Sequence, residues 1–413
     1  MIPVDERGHR DGGSFEVAVV GAGPAGAAAA TTAARAGARV VLIDRAHFPR
    51  DKCCGDGLTT AALRHLERLG LDAPGLASFC SVDQLVLHSS SGRIATLPLG
   101  EASGLAAGVC RRVELDAALV DLARAAGATV LEGEGLSGIE QHDEGLRLEL
   151  QGGTSLTAAS VIAADGVWST VRRALGGAER GAPQHWHAYR AYAGGVSEAA
   201  SRQLLVSFEE ALLPGYAWSF PLAGGHANVG ICVTRPTRRP GSELAALCEA
   251  SLNGPFLSSF LGAGARLEGQ VRSWPIPAPI GSLPLSALSG KVLFAGDAAR
   301  AADPFSGEGI AQALETGIAA AEALVSGASA AARYEEELAG ALAPDQRLAS
   351  WCNQLMVHPL ANRAAVYLAS RHELAARHIG RWLYEAYPRS LPLSPRRWGK
   401  GTASRPLPYD GAG

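Results

Sequence analysis

The chain has 413 residues, of which 47% are hydrophobic and 19% charged, and its formal net charge is −3. That length exceeds one compact core and implies two or three lobes, while the near-neutral charge offers no basic field to nucleic acid. The 50 glycines and 23 prolines are dispersed along the chain, which excludes a low-complexity or collagen-like protein.

Order is expected to begin at Phe15. Residues 16–20 (EVAVV) read as a buried strand, Gly21–Gly26 as a glycine loop and 25–36 as a small-residue helix stopped at Gly37. A second buried strand at 39–43 closes on Asp44, with Arg45 behind it. Helices follow over 58–69 and 113–126, with a hairpin over 82–88 and 93–97 between them and strands through 127–164. From 183 to 284 alternating runs dominate (203–208, 216–220, 227–233) and predict a mostly antiparallel sheet. A buried strand returns at 291–297 and a long helix at 309–325. Helical character continues beyond 330 to a Pro-, Arg- and Ser-rich tail from 388.

The segment GAGPAG places Gly21, Gly23 and Gly26 in GxGxxG spacing, between a strand and a helix. Gly21 makes the tight turn, Gly23 admits a pyrophosphate, and Gly26 lets helix and strand approach. The helix mouth offers N–H groups and a positive dipole end to the anion, and Asp44 can accept from ribose hydroxyls. This fingerprint serves NAD and FAD alike. Two later segments select FAD. One places Asp165-Gly166 after an apolar run. The other places Gly296-Asp297 after a buried strand, then a loop with Gly307 and Gly309 that opens a helix at Ile310. Asp297 suits a ribityl hydroxyl, and free N–H groups at Gly309 and Ile310 suit the pyrimidine edge of the isoalloxazine.

These three motifs in order resemble the flavoprotein hydroxylase superfamily over roughly residues 15–325. The resemblance implies that Arg112, in RRVELDAAL, lies beside the flavin. Residues 49–58 (PRDKCCGDGL) resemble more closely the geranylgeranyl reductase family, through Pro49, Arg50, Lys52, Cys54, Gly55 and Gly57. Tyr216, Trp218, Phe220 and Pro221 match that family's Tyr-x-Trp-x-Phe-Pro motif, which lines a greasy cavity. The resemblance implies reduction of isolated C=C bonds in isoprenoid chains, with relatives that oxidise terpenoid or aromatic compounds. The chain departs from the pattern at Cys53, which precedes Cys54, and at Asp56, where many relatives have glycine.

The candidate catalytic residues are Cys54, Lys52, Tyr216 and Trp218. Cys54 would be an acidified thiol, a proton donor, a flavin-facing group or simply a packed one. Tyr216, Trp218 and Phe220 alternate, so they share a strand face and form a substrate wall. No metal is expected: His185 and His187 have no third ligand nearby. Residues 262–264 (GAG) follow no clear strand, so NAD(P)H must dock transiently or a separate reductase must deliver electrons.

The fold class is α/β: a Rossmann-type FAD-binding domain (15–75, 105–182 and 285–340) with an inserted β-sheet substrate domain (76–104 and 183–284). A flexible N-terminus (1–14) and a helical C-terminal region (341–413) complete it. The leading function is flavin-dependent reduction of a C=C bond in a hydrophobic, isoprenoid-like metabolite. Monooxygenation of a terpenoid or aromatic metabolite is the alternative, flavin-dependent halogenation a third, and a non-catalytic flavin module a fourth. Seven cysteines without CxxC spacing, no signal-like N-terminus and no bilayer-length apolar run point to a cytoplasmic protein, with peripheral membrane contact open to residues 341–413. Oligomeric state is not legible.

Overall fold

The computed structural model describes residues 10–99, 107–142, 145–177, 186–234, 241–327 and 329–384. An eight-stranded sheet forms the first layer. Its main path runs Ser286–Ala287, Val292–Phe294, Thr154–Ala163, Arg10–Val20, Val40–Asp44, Thr129–Glu132. From Val292–Phe294 onward these strands are parallel, and Val40–Asp44 and Val292–Phe294 are buried along their whole length, as strands covered on both faces are. The first strand starts at Arg10 rather than Phe15, because residues 10–14 extend its pairing with 154–157 across an irregularity at Asp11/Ser14. Leu136–His142 and Gly145–Leu150 fold back antiparallel on Thr154–Ala163.

The register aligns the strand ends. Val20 sits opposite Ala163 and Ile43, and Ala163 opposite Phe294. The residues that follow these strands, Gly21, Asp44, Ala164-Asp165 and Ala295-Gly296, therefore emerge along one edge. In open α/β sheets that carboxyl edge is where ligands bind. Small residues bring the covering helices close. A side chain on Gly26 would meet the Gly21 carbonyl oxygen at 1.7 Å, and one on Gly317 would meet the Ala25 carbonyl oxygen at 2.1 Å. The helices Pro24–Arg35 and Ile310–Val325 thus pack against the sheet and each other nearly backbone to backbone.

The second layer is a seven-stranded sheet in the order Arg266–Ile276, Trp186–Gly194, His226–Thr234, Tyr216–Leu222, Gln203–Ser207, Gln84–His88, Ile94–Pro98. It is antiparallel except where Gln203–Ser207 pairs with Gln84–His88. One face packs on two helices that strand patterning did not announce, Gly241–Leu252 and Pro255–Leu261. The other face packs on the C-terminal helices Pro359–Arg371 and Glu373–Tyr384. A three-stranded sheet (Gly57–Leu58, Gly108–Val109, Cys80–Ser81) lies between the layers. The α/β class with a mostly antiparallel second sheet and C-terminal helices is as the sequence implied. The tail from 388 and the first nine residues lie outside the described residues.

Candidate active site

One cavity of about 1050 Å³ runs from the carboxyl edge of the parallel sheet to the C-terminal helices. This exceeds the usual range for a single small-molecule site, so there is room for a cofactor and a second ligand. Gly21, Gly23, Asp44, Arg45, Arg112, Asp165, Gly296, Asp297, Gly307, Gly309 and Ile310 all line it, as do Lys52, Cys54, Tyr216, Trp218 and Phe220. Gly26 does not: it is the packing glycine behind the turn.

At the strand ends, Gly21 has φ +97°, and a side chain there would meet the Ala164 carbonyl oxygen at 2.4 Å. Only glycine satisfies both demands. The helix Pro24–Arg35 opens at Gly23 with no side-chain cap, leaving its mouth bare, and Arg50 Nη2 lies 3.7 Å from where a Gly23 side chain would stand. Bare N–H groups beside a guanidinium suit a pyrophosphate. Asp44 accepts from Ala22 N (2.7 Å) and Ala46 N (2.8 Å), which fixes its carboxylate while leaving each oxygen a further lone pair. Asp165 is turned to a local task. It accepts from Thr170 N (2.6 Å) and Val171 N (3.1 Å) and caps the short helix Thr170–Ala174 at the cavity edge. The residues present fit a dinucleotide flavin laid along this edge.

The loop 49–57 crosses from this edge to the second sheet. Arg112 makes a bidentate pair with buried Asp116 (2.6 and 2.7 Å), and Arg50 reaches the same carboxylate at 3.1 Å. Lys52 lies 3.7 Å over the Trp274 ring, and burial lowers it to about 8 against the opposing pull of Asp297. Arg190 donates to Asp51 (2.8 Å) and to the Lys52 carbonyl (3.0 Å), pinning the loop to the sheet. Cys54 is not an acidified thiol, as one sequence expectation had it. Burial raises it despite Arg112 alongside, and Cys53 is likewise pushed to about 11.

Asp56 was noted in the sequence only as a departure from glycine. Its φ of +64° lies in the left-handed region, which explains why glycine suits this position. It is fully buried, and its Oδ2 accepts from Tyr192 Oη (2.8 Å) and Asn228 Nδ2 (2.9 Å). Asn228 also donates to the Cys54 carbonyl (2.8 Å) and accepts from Trp218 Nε1 (3.0 Å). This one amide therefore ties the loop to the aromatic wall. No sequence motif signalled Asn228, Arg190 or Tyr192, which alternating strands bring in from elsewhere in the chain.

The wall has the expected order: Tyr216 and Trp218 ring centres are 6.2 Å apart, and Trp218 and Phe220 are 6.1 Å apart. Phe220 also packs on the loop, 3.3 Å from where a Gly55 side chain would begin. Tyr216 donates its hydroxyl proton to the Ser306 carbonyl, and Trp186 Nε1 donates to the Pro304 carbonyl (3.0 Å). These bonds stitch the second sheet to the loop that opens the helix Ile310–Val325. The helix mouth itself departs from expectation. The N–H groups of Ile310 and Ala311 are engaged by the Glu308 carboxylate, with Ala311 N at 2.9 Å, and are not free. Burial raises Glu308 to about 7, so it loses its charge readily when a neighbour becomes negative.

Beyond the wall the cavity turns apolar. Leu85, Leu204 and Val206 of the second sheet face Met356, Val366 and Leu383 of the C-terminal helices. Trp382 and Tyr384 also reach it, whereas Trp351 is exposed and Tyr387 lies outside the described residues. His187 packs against Tyr189, and His185 is outside the described residues. Among the described residues no metal-binding cluster forms. Gly262–Gly264 is the turn between the helix Pro255–Leu261 and the strand Arg266–Ile276, not a nucleotide loop.

The sequence pattern of the FAD binding domain family matches residues 14–210. A menaquinone reductase of Mycolicibacterium smegmatis is 36% identical over 337 residues, 76% of each chain. A digeranylgeranylglycerophospholipid reductase of Methanopyrus kandleri is 32% identical over 321 residues, 75% of this chain and 80% of that protein. The solved structure of a geranylgeranyl bacteriochlorophyll reductase-like protein from Thermoplasma acidophilum superposes with a TM-score of 0.76 at 22% identity, covering 93% of this chain and 99% of that one.

Proposed function

Since this chain belongs to the geranylgeranyl-reductase-like family of FAD-dependent oxidoreductases, we propose that it reduces a C=C bond in the isoprenoid chain of a lipid or prenylated quinone. The observation that carries this reading is the lining of the cavity. A polar arm at the sheet edge and an apolar arm under the C-terminal helices meet at the loop 52–57. An isoprenoid tail matches the apolar lining in chemistry, and the relatives named above are named for menaquinone and a digeranylgeranyl lipid.

When bound, FAD supplies the hydride. The chain's own residues do the rest. The bare helix mouth at Gly23 and Arg50 hold the pyrophosphate. Asp44, with Arg45 beside it, takes the adenosine ribose, and Asp297 the ribityl chain. Gly296, Gly307 and Gly309 allow close backbone approach, and Asp165 steadies the edge. Lys52 and Arg112 set a positive field beside the ring, which favours its electron-rich reduced form. Tyr216, Trp218 and Phe220 lay the alkene against it and exclude water. The proton comes from an acid of the same neighbourhood, for which Lys52, Cys54 and Tyr216 are in position.

Electrons arrive from NAD(P)H docking transiently or from a separate reductase. Anaerobic bleaching of the flavin by NADPH alone would select the first. The C-terminal helices carry Trp351 and Leu360 on their surface, 59% and 76% exposed, with Arg347 one helical turn from Trp351. That combination suits peripheral contact with an anionic bilayer, from which a lipid tail would enter.

The test is product analysis with and without air. Dithionite-reduced holoprotein, freed of excess reductant and incubated anaerobically with geranylgeranyl lipid in micelles, is expected to yield a product two hydrogens heavier. An unchanged alkene under nitrogen, with an oxygenated product formed in air at the expense of NADPH, would instead establish a monooxygenase.

A further inference from the structure

Resting on the reductive reading, we infer that the Tyr384 hydroxyl donates a hydrogen bond to a neutral, carbonyl-type oxygen of the substrate, and thereby fixes which double bond of the tail is reduced.

The need for such a group follows from the ligand. Each isoprene unit of a tail repeats the one before it, so an apolar arm holds the chain without choosing its register. One polar anchor at a fixed place removes that degeneracy, because it sets the distance from the anchored oxygen to the reacting alkene.

Elimination identifies the anchor. The helix Glu373–Tyr384 buries Ala376 and turns Ile379, Leu383 and Tyr384 to the arm. Among the described residues that line the cavity from the aromatic wall and the C-terminal helices, the strong donors are Tyr216, Trp218, Trp382 and Tyr384. Tyr216 donates to the Ser306 carbonyl, Trp218 Nε1 donates to Asn228, and Trp382 Nε1 is sealed from the cavity. Cys352 offers only a thiol, a weak donor. Tyr384 differs from all of these. Its hydroxyl has no hydrogen-bond partner among the described residues and is not sealed. It lies close enough to Tyr216 for the two hydroxyls to interact electrostatically, which puts it where the apolar arm meets the wall. Burial pushes Tyr384 well above its ordinary value, so it stays a protonated donor throughout the physiological range. Against a pure hydrocarbon this O–H would lose its bonds to water and gain none. An occupant with an acceptor oxygen at that point restores one.

The surroundings select the acceptor. The cationic residues of the lining are Arg45, Arg50, Lys52, Arg112, Arg173 and Arg272. They stand at the sheet edge, on the loop 49–57, on the helices Arg112–Ala125 and Thr170–Ala174 and on the strand Arg266–Ile276. Among the described residues none stands on the strands Gln84–His88 and Gln203–Ser207 or on the cavity face of the C-terminal helices. A phosphate beside Tyr384 would therefore be a desolvated anion without a counter-charge. A carbonyl oxygen carries no such cost.

Tyr384→Phe is the direct test. It removes one oxygen and no internal hydrogen bond, so FAD content and melting temperature should be unchanged. The probe is geranylgeranylacetone, an isoprenoid ketone without the redox chemistry of a quinone. The same tail as a hydrocarbon, and geranylgeranyl phosphate, are the controls. Bound to the oxidised holoprotein, the ketone should be preferred over the hydrocarbon about fivefold by the parent and not at all by the variant. Affinity for the phosphate should be the same in both proteins. Reduced holoprotein, freed of excess reductant and held under nitrogen, should convert the ketone to one positional isomer of the dihydro product in the parent and to a mixture in the variant. A variant that keeps the ketone preference and yields the single isomer overturns the inference and leaves the reductive reading standing. So does a variant weakened only toward the phosphate. A parent that prefers the ketone in binding but reduces no double bond fails the reductive reading, and the choice of double bond with it.

Discussion

The two arms of the cavity are built in opposite ways. At the sheet edge, function rests on backbone: a glycine turn, a bare helix mouth and carboxylates fixed by neighbouring N–H groups. Every part lies within a few residues of a strand end. On the loop and aromatic side, function rests on side chains drawn together from residues 51–56, 112–116, 190–192, 228 and 272–274. The first arm tolerates almost no change of shape and the second almost no change of chemistry.

The largest effect should come from the first arm. Gly26→Val would place a side chain 1.7 Å from the Gly21 carbonyl oxygen, against backbone that cannot yield. Expression should give no soluble, yellow protein. A folded flavoprotein would show that the helix and turn are looser than described.

Next is Asp56→Asn, which separates chemistry from shape. It should alter stability in a defined direction. Asp56 titrates higher in the folded protein than its ordinary 3.8, so the folded state holds the extra proton in between. The stability this contributes is full at low pH and is lost as pH rises through about 6, a loss of roughly 3 kcal/mol. The variant's slope in denaturation measured from pH 4 to 7 should be shallower by that amount, the remainder belonging to groups such as Glu308. An identical slope in both proteins would place the titrating group elsewhere.

Asn228→Ala should follow, costing about 3 kcal/mol in urea unfolding, because it leaves Trp218 Nε1 and the Cys54 carbonyl without partners. A loss under 1 kcal/mol would mean that loop and wall are held by packing alone. The smallest effect belongs to the outer surface. Trp351→Glu with Leu360→Glu should lower binding to phosphatidylglycerol vesicles about tenfold or more, leaving turnover in micelles intact. Unchanged vesicle flotation would remove the membrane contact from the account.

The contrast also explains what could be read from the sequence. Gly21, Gly23, Asp44 and Asp297 were legible because a turn or a strand end imposes a residue type at a fixed offset. The loop 49–57 and the Tyr216–Phe220 run were legible through resemblance to a family. Asn228 was not, since its partners are Cys54, Asp56 and Trp218 and nothing local requires an amide. Glu308 lay inside the segment singled out, but only the fold reveals that its carboxylate occupies the N–H groups expected to be free. Asp56 left a trace, a carboxylate where glycine is usual. That trace acquired meaning only once Tyr192 and Asn228 were seen to face it. The helices Gly241–Leu252 and Pro255–Leu261 went unread because the alternating strands around them dominate the pattern.

The central claim is that flavin and alkene meet in one cavity. The most direct measurement of it follows the absorbance of dithionite-reduced holoprotein, free of excess reductant and under nitrogen, as geranylgeranyl lipid is added. The flavin should return to its yellow oxidised form mole for mole with the double bonds hydrogenated. A flavin that stays bleached with lipid present, and recovers its colour only when air is admitted, would contradict the account.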